Sequence, residues 1–332
     1  MQGNAVIFTD RRQVAYQEVS IPEPGPRDVV VRTTHSWISN GTEGSFLRGE
    51  RFNGETPWRE GMPWPFPFAG GYQSVGVVES VGAEAGQFSP GQQVFCTMGK
   101  IKGMFEPWGG HISPKVADVS QVWAVPAGVS PVAVSGLVLT QVGYNCGIRP
   151  PVEDGTVALV LGDGMVGHWA AQTLHWRGAR VILAGKHDER LAYFGGDARC
   201  SLLNIANEPI AEGLKRLAPE GIDILVDTVG TVAMVMDLHP HLRHNAHIVS
   251  AGYNGTESMV DVQRLRFGEI TWHSPSGWHP QRMDAALALI ASGALRTEPL
   301  ITHRFPVDRA ADAWKLILDR TEHVLGVILD WE

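Results

Sequence analysis

Leu159 to Gly167 reads LVLGDGMVG: an apolar strand runs into Gly162-x-Gly164-x-x-Gly167, and a helix-like stretch, MVGHWAAQTLHWRG, opens at once behind it. The strand–turn–helix context gives the three glycines separate duties. Gly162 permits the tight turn, Gly164 lets backbone approach a pyrophosphate, and Gly167 allows close packing of helix on strand. Met165 and Val166 complete the first turn, whose N–H groups suit phosphate oxygens. The pattern predicts a dinucleotide-binding unit. Around it, apolar strands alternate with helices: ARVILAG, IAEGLKRLA, IDILVDTVG, VAMVMDLHPHL and AHIVSAG. That alternation implies a doubly wound parallel sheet with helices on both faces.

The second strand, VILAG, ends at Gly185, where an NAD-preferring site places an Asp or Glu on the ribose 2′-hydroxyl. Gly185-Lys186-His187 follows instead, with Arg190 one turn on. A missing carboxylate removes repulsion against a 2′-phosphate, and Lys186 and Arg190 offer positive charge, so NADP(H) is expected over NAD(H).

The first ~120 residues differ in texture. AVIF, VAYQEV, DVVVRTT, SVGVVESVG and QQVFCTM are short Val-rich runs broken by IPEPGPRD and FSPGQQ, which predicts a compact β-rich domain. Phe52 to Phe68, FNGETPWREGMPWPFPF, reads as an ordered irregular loop, either one wall of a pocket or a small satellite core. The stretch VSPVAVSGLVLTQVGYNCG is helix-like, and two further helices and a closing strand, VLGVILDW, end the chain.

Across 332 residues the chain carries 27 Lys and Arg against 35 Asp and Glu, a net charge of -8. No basic nucleic-acid footprint follows from that balance. No apolar run approaches the ~18 residues of a membrane span. Cys96, Cys146 and Cys200 are widely spaced and form neither a disulfide framework nor a zinc knuckle. A reduced, cytoplasmic, globular protein is the resulting expectation.

The chain resembles the medium-chain dehydrogenase/reductase superfamily. The resemblance is carried by IPEPGPRDVVVR, FAGGYQSVGVVESVG, FSPGQQV, WGGHISPKVADVSQVWAVPAGVS and LGDGMVG, and by the ending LITHRFPVDRAADAWKLILDR…GVILDW. ISNGTE near residue 38 and the closing ILDW look most like the bacteriochlorophyllide 3-hydroxyethyl dehydrogenase branch. The resemblance implies a GroES-like catalytic domain from residues 1–128 and 277–332, and a Rossmann domain from 129–276. It also implies a homodimer or homotetramer.

Departures from the family's zinc pattern are specific. Ser39 stands where zinc-dependent members carry Cys, and their Gly-His-Glu is here Gly71-Tyr72-Gln73. These residues are poor zinc ligands, so no metal is expected. By homology Ser39, Asn40, Thr42, Tyr72 and Gln73 line the cleft between the domains. Tyr72 is the first candidate donor to the reacting oxygen, with Ser39, Thr42 and Gln73 beside it. Lys100 or Lys102 would lower its pKa. Glu43 reads as a surface carboxylate, and His35, His111, His168 and His279 as further proton-carrier candidates. Thr140 falls where the family's interdomain helix passes the nicotinamide. Trp37, Trp58, Trp64, Trp108, Trp272 and Trp278 suggest a flat or ring-shaped substrate, with two or three in contact.

The expected activity is zinc-independent interconversion of an alcohol and a carbonyl. A quinone-oxidoreductase-like alkene reductase is the rival enzyme, and a catalytically inactive nucleotide-binding sensor is the rival of another class.

Overall fold

The structure is a computed structural model and describes residues 1–54, 56–254 and 258–331. The chain divides into two compact units, Met1–Val138 with Thr297–Glu332, and Leu139–Arg296.

The first unit is built on β-sheets. Its larger sheet places Asp28–Trp37 at the centre, between the strand Ser74–Val81 and the C-terminal strand Gly326–Asp330. Ile328 pairs with Trp37 and Leu329 with Ser36, so the chain's end is hydrogen-bonded into its beginning. Val327 and Leu329 join Val6, Phe8, Ile38 and Trp314 in one buried cluster. Asn40–Leu47 forms a helix that the Gly-containing NGTEGSFL had not suggested.

The loop 52–68 is the satellite aromatic core. Trp58 meets Trp64 edge-on at 5.3 Å, Trp64 leans on Phe66, and Phe46 stacks on Phe68 at 4.9 Å. The Arg11 guanidinium lies 5.0 Å from the Trp64 ring, and Trp64 Nε1 donates to Asp10. Trp58 Nε1 donates to the carbonyl of Pro63 within the same loop.

The second unit carries a six-stranded parallel sheet. Its order is Cys200–Asn204, Arg180–Gly185, Val157–Leu161, Ile222–Asp227, Leu242–Ser250 and Thr271–His273. Numbered by sequence this is 3-2-1-4-5-6, the doubly wound arrangement whose crevice opens at the carboxyl ends of the strands. Apolar clusters on its two faces are fully buried, Leu159 and Leu225 on one and Val160 and Val226 on the other. Such runs mark strands covered on both sides.

The predicted boundary at residue 277 lies earlier than the division at Arg296–Thr297. Polar bonds hold the intervening segment to the second unit. Gln141 Nε2 donates to Gly277 O, Trp169 Nε1 to Arg296 O, and Arg296 N–H to Gln172 at 2.8 Å. The helix-like stretch after Ser130 is two helices, Pro131–Val134 and Leu137–Ile148, broken at Ser135-Gly136. A Cβ on Gly136 would stand 2.8 Å from the Trp37 ring.

Lys115 is fully buried in the first unit, its ammonium bonded to Ser74 Oγ at 2.6 Å and Thr97 O at 2.8 Å. Burial lowers its pKa from 10.5 to about 8. An unfolded lysine keeps its proton to higher pH, so above pH 8 the unfolded chain binds more protons and stability rises with pH. Denaturation of wild type and Lys115→Met at pH 7 to 10 isolates this group from others, such as Cys96, that titrate in the opposite sense. The stability difference should move towards wild type by up to ~1.4 kcal/mol per pH unit above pH 8. A difference independent of pH would show that Lys115 is not desolvated.

Candidate functional site

In the second unit, Gly162 adopts φ +113°, and its N–H bonds to Ala184 O at 2.8 Å on the neighbouring strand. A Cβ there would collide with Thr228 Oγ1, and a Cβ on Gly167 would collide with the carbonyl oxygen of Gly162. A Cβ on Gly164 would meet nothing within 4 Å. The first and third glycines are thus required by packing, while the second faces open space where a pyrophosphate fits. Gly164 caps the helix Met165–Trp176, whose first i→i−4 bond runs from His168 N–H to Gly164 O. The N–H groups of the opening turn, at Met165, Val166 and Gly167, precede any intrahelical acceptor and carry the positive end of the helix dipole. The turn fits a dinucleotide.

At the tip of the second strand the expected absence of a carboxylate is not what the structure holds. Asp163, the residue between the first two glycines, turns its side chain to that tip. Its Oδ2 accepts the backbone N–H groups of Lys186 at 2.8 Å and His187 at 2.9 Å, and lies 2.8 Å from His187 Nδ1. Arg190 Nη1 stands 3.5 Å from Oδ1. A Cβ on Gly185 would collide with the Asp163 side chain, so Gly185 is the space Asp163 fills. The Lys186 side chain is exposed. Thr140 is fully buried in the helix Leu137–Ile148. His168, also buried, has its pKa pushed down to about 4, mainly by burial.

In the first unit a buried polar cluster surrounds Ser39. The Tyr72 hydroxyl donates to Ser39 Oγ at 2.6 Å, and Thr42 also bonds to Tyr72. Ser39 occupies the N-cap of the helix Asn40–Leu47 but makes no side-chain cap bond, its hydroxyl being engaged by Tyr72. Glu43, expected at the surface, is 1% exposed. Its Oε1 accepts Ser39 N–H at 2.7 Å and its Oε2 lies 2.9 Å from His111 Nε2. His111 Nδ1 is 2.8 Å from Ser36 Oγ, which also accepts from Trp331 Nε1 at 2.8 Å. An indole only donates. A His111 ring that donates Nε2–H to the Glu43 carboxylate can accept the Ser36 hydroxyl at Nδ1 while Ser36 Oγ takes the indole N–H. Gly71, at φ +82°, leaves the space that the His111 ring occupies.

Burial pushes the Tyr72 phenol up to about 12, with Glu43 raising it further and the bonds to Ser39 and Thr42 opposing. The expected depression by lysine does not arise, because the Lys100 ammonium is held by Asp28 at 2.5 Å and 2.7 Å. A phenol with a raised pKa is a proton donor at neutral pH rather than a base.

The remaining predicted residues are dispersed. Gln73 is buried, its amide donating to Trp37 O, and Asn40 Nδ2 donates to Leu325 O at 2.6 Å. Trp37 is fully buried, and Trp58 and Trp64 belong to the satellite core. Trp108 is exposed on the short strand Trp108–Gly109, and Trp278 is half-buried ahead of the helix Pro280–Ala291.

Zinc does not fit the first unit's donor set. Ser39, Tyr72 and Gln73 offer no thiolate, imidazole or carboxylate, while Glu43 and His111 are bonded to each other. Among the described residues, one group of three ligand-type side chains comes within 4.8 Å, His175, Asp197 and Cys200 in the second unit. Arg199 contacts both Asp197 and His175 there, placing a positive charge where a cation would bind.

Glu43→Ala would leave His111 Nε2–H and Ser39 N–H buried without an acceptor. It should cost about 2–5 kcal/mol in a denaturant titration, the order expected for two buried donors left unsatisfied. Glu43→Gln, which keeps an amide oxygen there, should cost clearly less. Equal, small losses would contradict the buried network.

A family model described as zinc-binding dehydrogenase matches residues 165–292. The 2-desacetyl-2-hydroxyethyl bacteriochlorophyllide A dehydrogenase of Rhodobacter capsulatus is 27% identical over 348 residues, covering all of this chain and 99% of that protein. An alcohol dehydrogenase from Escherichia coli CFT073, solved with NADH, superposes with TM-score 0.84 at 21% identity, covering 99% of each chain. A zinc-binding dehydrogenase described as putative, from Sinorhizobium meliloti 1021 and bound to NADP, gives TM-score 0.81 at 20% identity over 100% of both chains.

Proposed function

We propose that the chain is a medium-chain dehydrogenase/reductase, a zinc-independent, nicotinamide-dependent oxidoreductase interconverting an alcohol and a carbonyl on a ring-shaped substrate. The observation that carries the reading is the Gly162–Gly167 turn, with Gly162 and Gly167 forced by packing and Gly164 left open. Bound there, the dinucleotide would supply or accept a hydride at nicotinamide C4.

The chain's own residues handle the charge on the reacting oxygen. The Ser39 hydroxyl accepts from Tyr72 and so has its proton free to donate onwards. In carbonyl reduction Ser39 donates to the developing alkoxide while Tyr72 reprotonates Ser39 through the 2.6 Å bond, and solvent restores Tyr72. An alkoxide is a stronger base than a phenolate whose acid has a pKa of about 12, so the transfer runs downhill. Glu43, His111 and Ser36 act behind this pair, holding the helix start that presents Ser39. Alcohol–carbonyl chemistry is supported by the relative named as a hydroxyethyl bacteriochlorophyllide dehydrogenase.

The test is reduced-nicotinamide absorbance with cyclic ketones, aromatic ketones and enones, followed by Tyr72→Phe on the best substrate. Ketone reduction is expected, with Tyr72→Phe lowering turnover on the order of 10²–10⁴-fold and leaving dinucleotide affinity unchanged. Reduction of enones alone, or an unchanged rate in Tyr72→Phe, would overturn the assignment.

A further inference from the structure

We propose that Asp163, from inside the glycine motif, supplies the carboxylate that selects NAD(H) against NADP(H). The inference rests on the dinucleotide reading above and reverses the preference expected from Gly185, Lys186 and Arg190.

A doubly wound nucleotide site discriminates between the two cofactors at the end of the second strand, where the adenosine ribose lies. A carboxylate there accepts from the 2′-hydroxyl, and a 2′-phosphate needs hydrogen-bond donors and positive charge instead. Gly185 leaves that tip without a carboxylate of its own, but the space is filled. Asp163 stands where a Gly185 side chain would begin, so the strand's missing acid and the motif's extra acid are one feature. The structure thereby moves the carboxylate 22 residues back in sequence while keeping it at the same strand end.

The donors around it are already committed. A phosphate at this tip would call on the backbone N–H groups of Lys186 and His187, on the His187 ring and on Arg190. The first three converge on Asp163 Oδ2 within 2.9 Å, and Arg190 leans towards Oδ1. The Asp163 side chain is 9% exposed. Burial alone would raise its pKa, but the His187 ring and the two N–H groups more than offset that and hold it below the usual carboxylate value. The group is therefore anionic across the neutral range. A 2′-phosphate would meet a fixed negative charge and spent donors, with the exposed Lys186 ammonium as the one uncommitted cation of this set and weakened by solvent. A 2′-hydroxyl would find Oδ1, which carries only the long 3.5 Å contact to Arg190.

The direct test is equilibrium binding of NADH and NADPH to the full chain, read from nicotinamide fluorescence, for wild type and Asp163→Asn. Wild type should bind NADH about tenfold or more tightly than NADPH. Asp163→Asn, which retains an oxygen for the Lys186 and His187 N–H groups, should narrow that ratio by about tenfold, chiefly through tighter NADPH binding. Wild type favouring NADPH or showing no preference would overturn the proposal without needing any variant. An unchanged ratio in Asp163→Asn, with the fold verified by circular dichroism, would overturn the assignment to Asp163. Binding of neither dinucleotide would instead remove the nucleotide reading and this inference with it.

Discussion

The close approach of the Gly167 backbone to the carbonyl of Gly162 governs the second unit. It forces the helix Met165–Trp176 down onto the end of the strand Val157–Leu161, which no residue with a Cβ could allow. Once the helix is seated, its opening turn points out of the sheet's carboxyl end and Gly164 is left facing open space. The same seating aims the residue between the first two glycines sideways, along the sheet, towards the neighbouring strand. Asp163 reaches the Lys186 and His187 backbone from that position, and Gly185 can then be nothing larger. Packing, the open face at Gly164 and the charge at the end of the second strand therefore follow from one contact.

The first unit solves a different problem, that of keeping polar groups usable inside a β-rich core. Ser36, Ser39, Glu43 and His111 are all nearly inaccessible. A buried carboxylate and imidazole are tolerable only when paired and fully hydrogen-bonded. Here every bond fixes something: Trp331 and Ser36 orient His111, His111 holds Glu43, and Glu43 takes the Ser39 N–H. The Ser39 hydroxyl is spared from capping and is left to Tyr72. The cluster thereby presents oriented hydroxyls, Tyr72 donating to Ser39.

What the sequence disclosed follows the range of the forces involved. The glycine motif, the Val-rich strands and the helices flanking them are local patterns, and a doubly wound parallel sheet was legible from them, though not its six-strand order. The strand Cys200–Asn204 was missed because CSLLN is short and neither alternates nor runs apolar. The helix Asn40–Leu47 was missed because two glycines weaken its propensity and its anchor, Glu43 against His111, spans 68 residues. Asp163 was visible as a letter in GDGMVG, and Gly185 as a gap in the strand-end pattern. Only their contact showed that the gap and the acid belong together. Likewise the tryptophans were countable, but Trp58 and Trp64 spend their faces on each other and on Arg11, which composition does not reveal.

The proposed hydride transfer, assisted by hydroxyl donors rather than by zinc, is tested most directly by measuring bound metal on the purified chain alongside ketone reduction, before and after dialysis against a strong chelator. Zinc well below one ion per chain is expected, with a rate that dialysis leaves unchanged. A rate that falls with zinc removal and returns in proportion to zinc restored would contradict it.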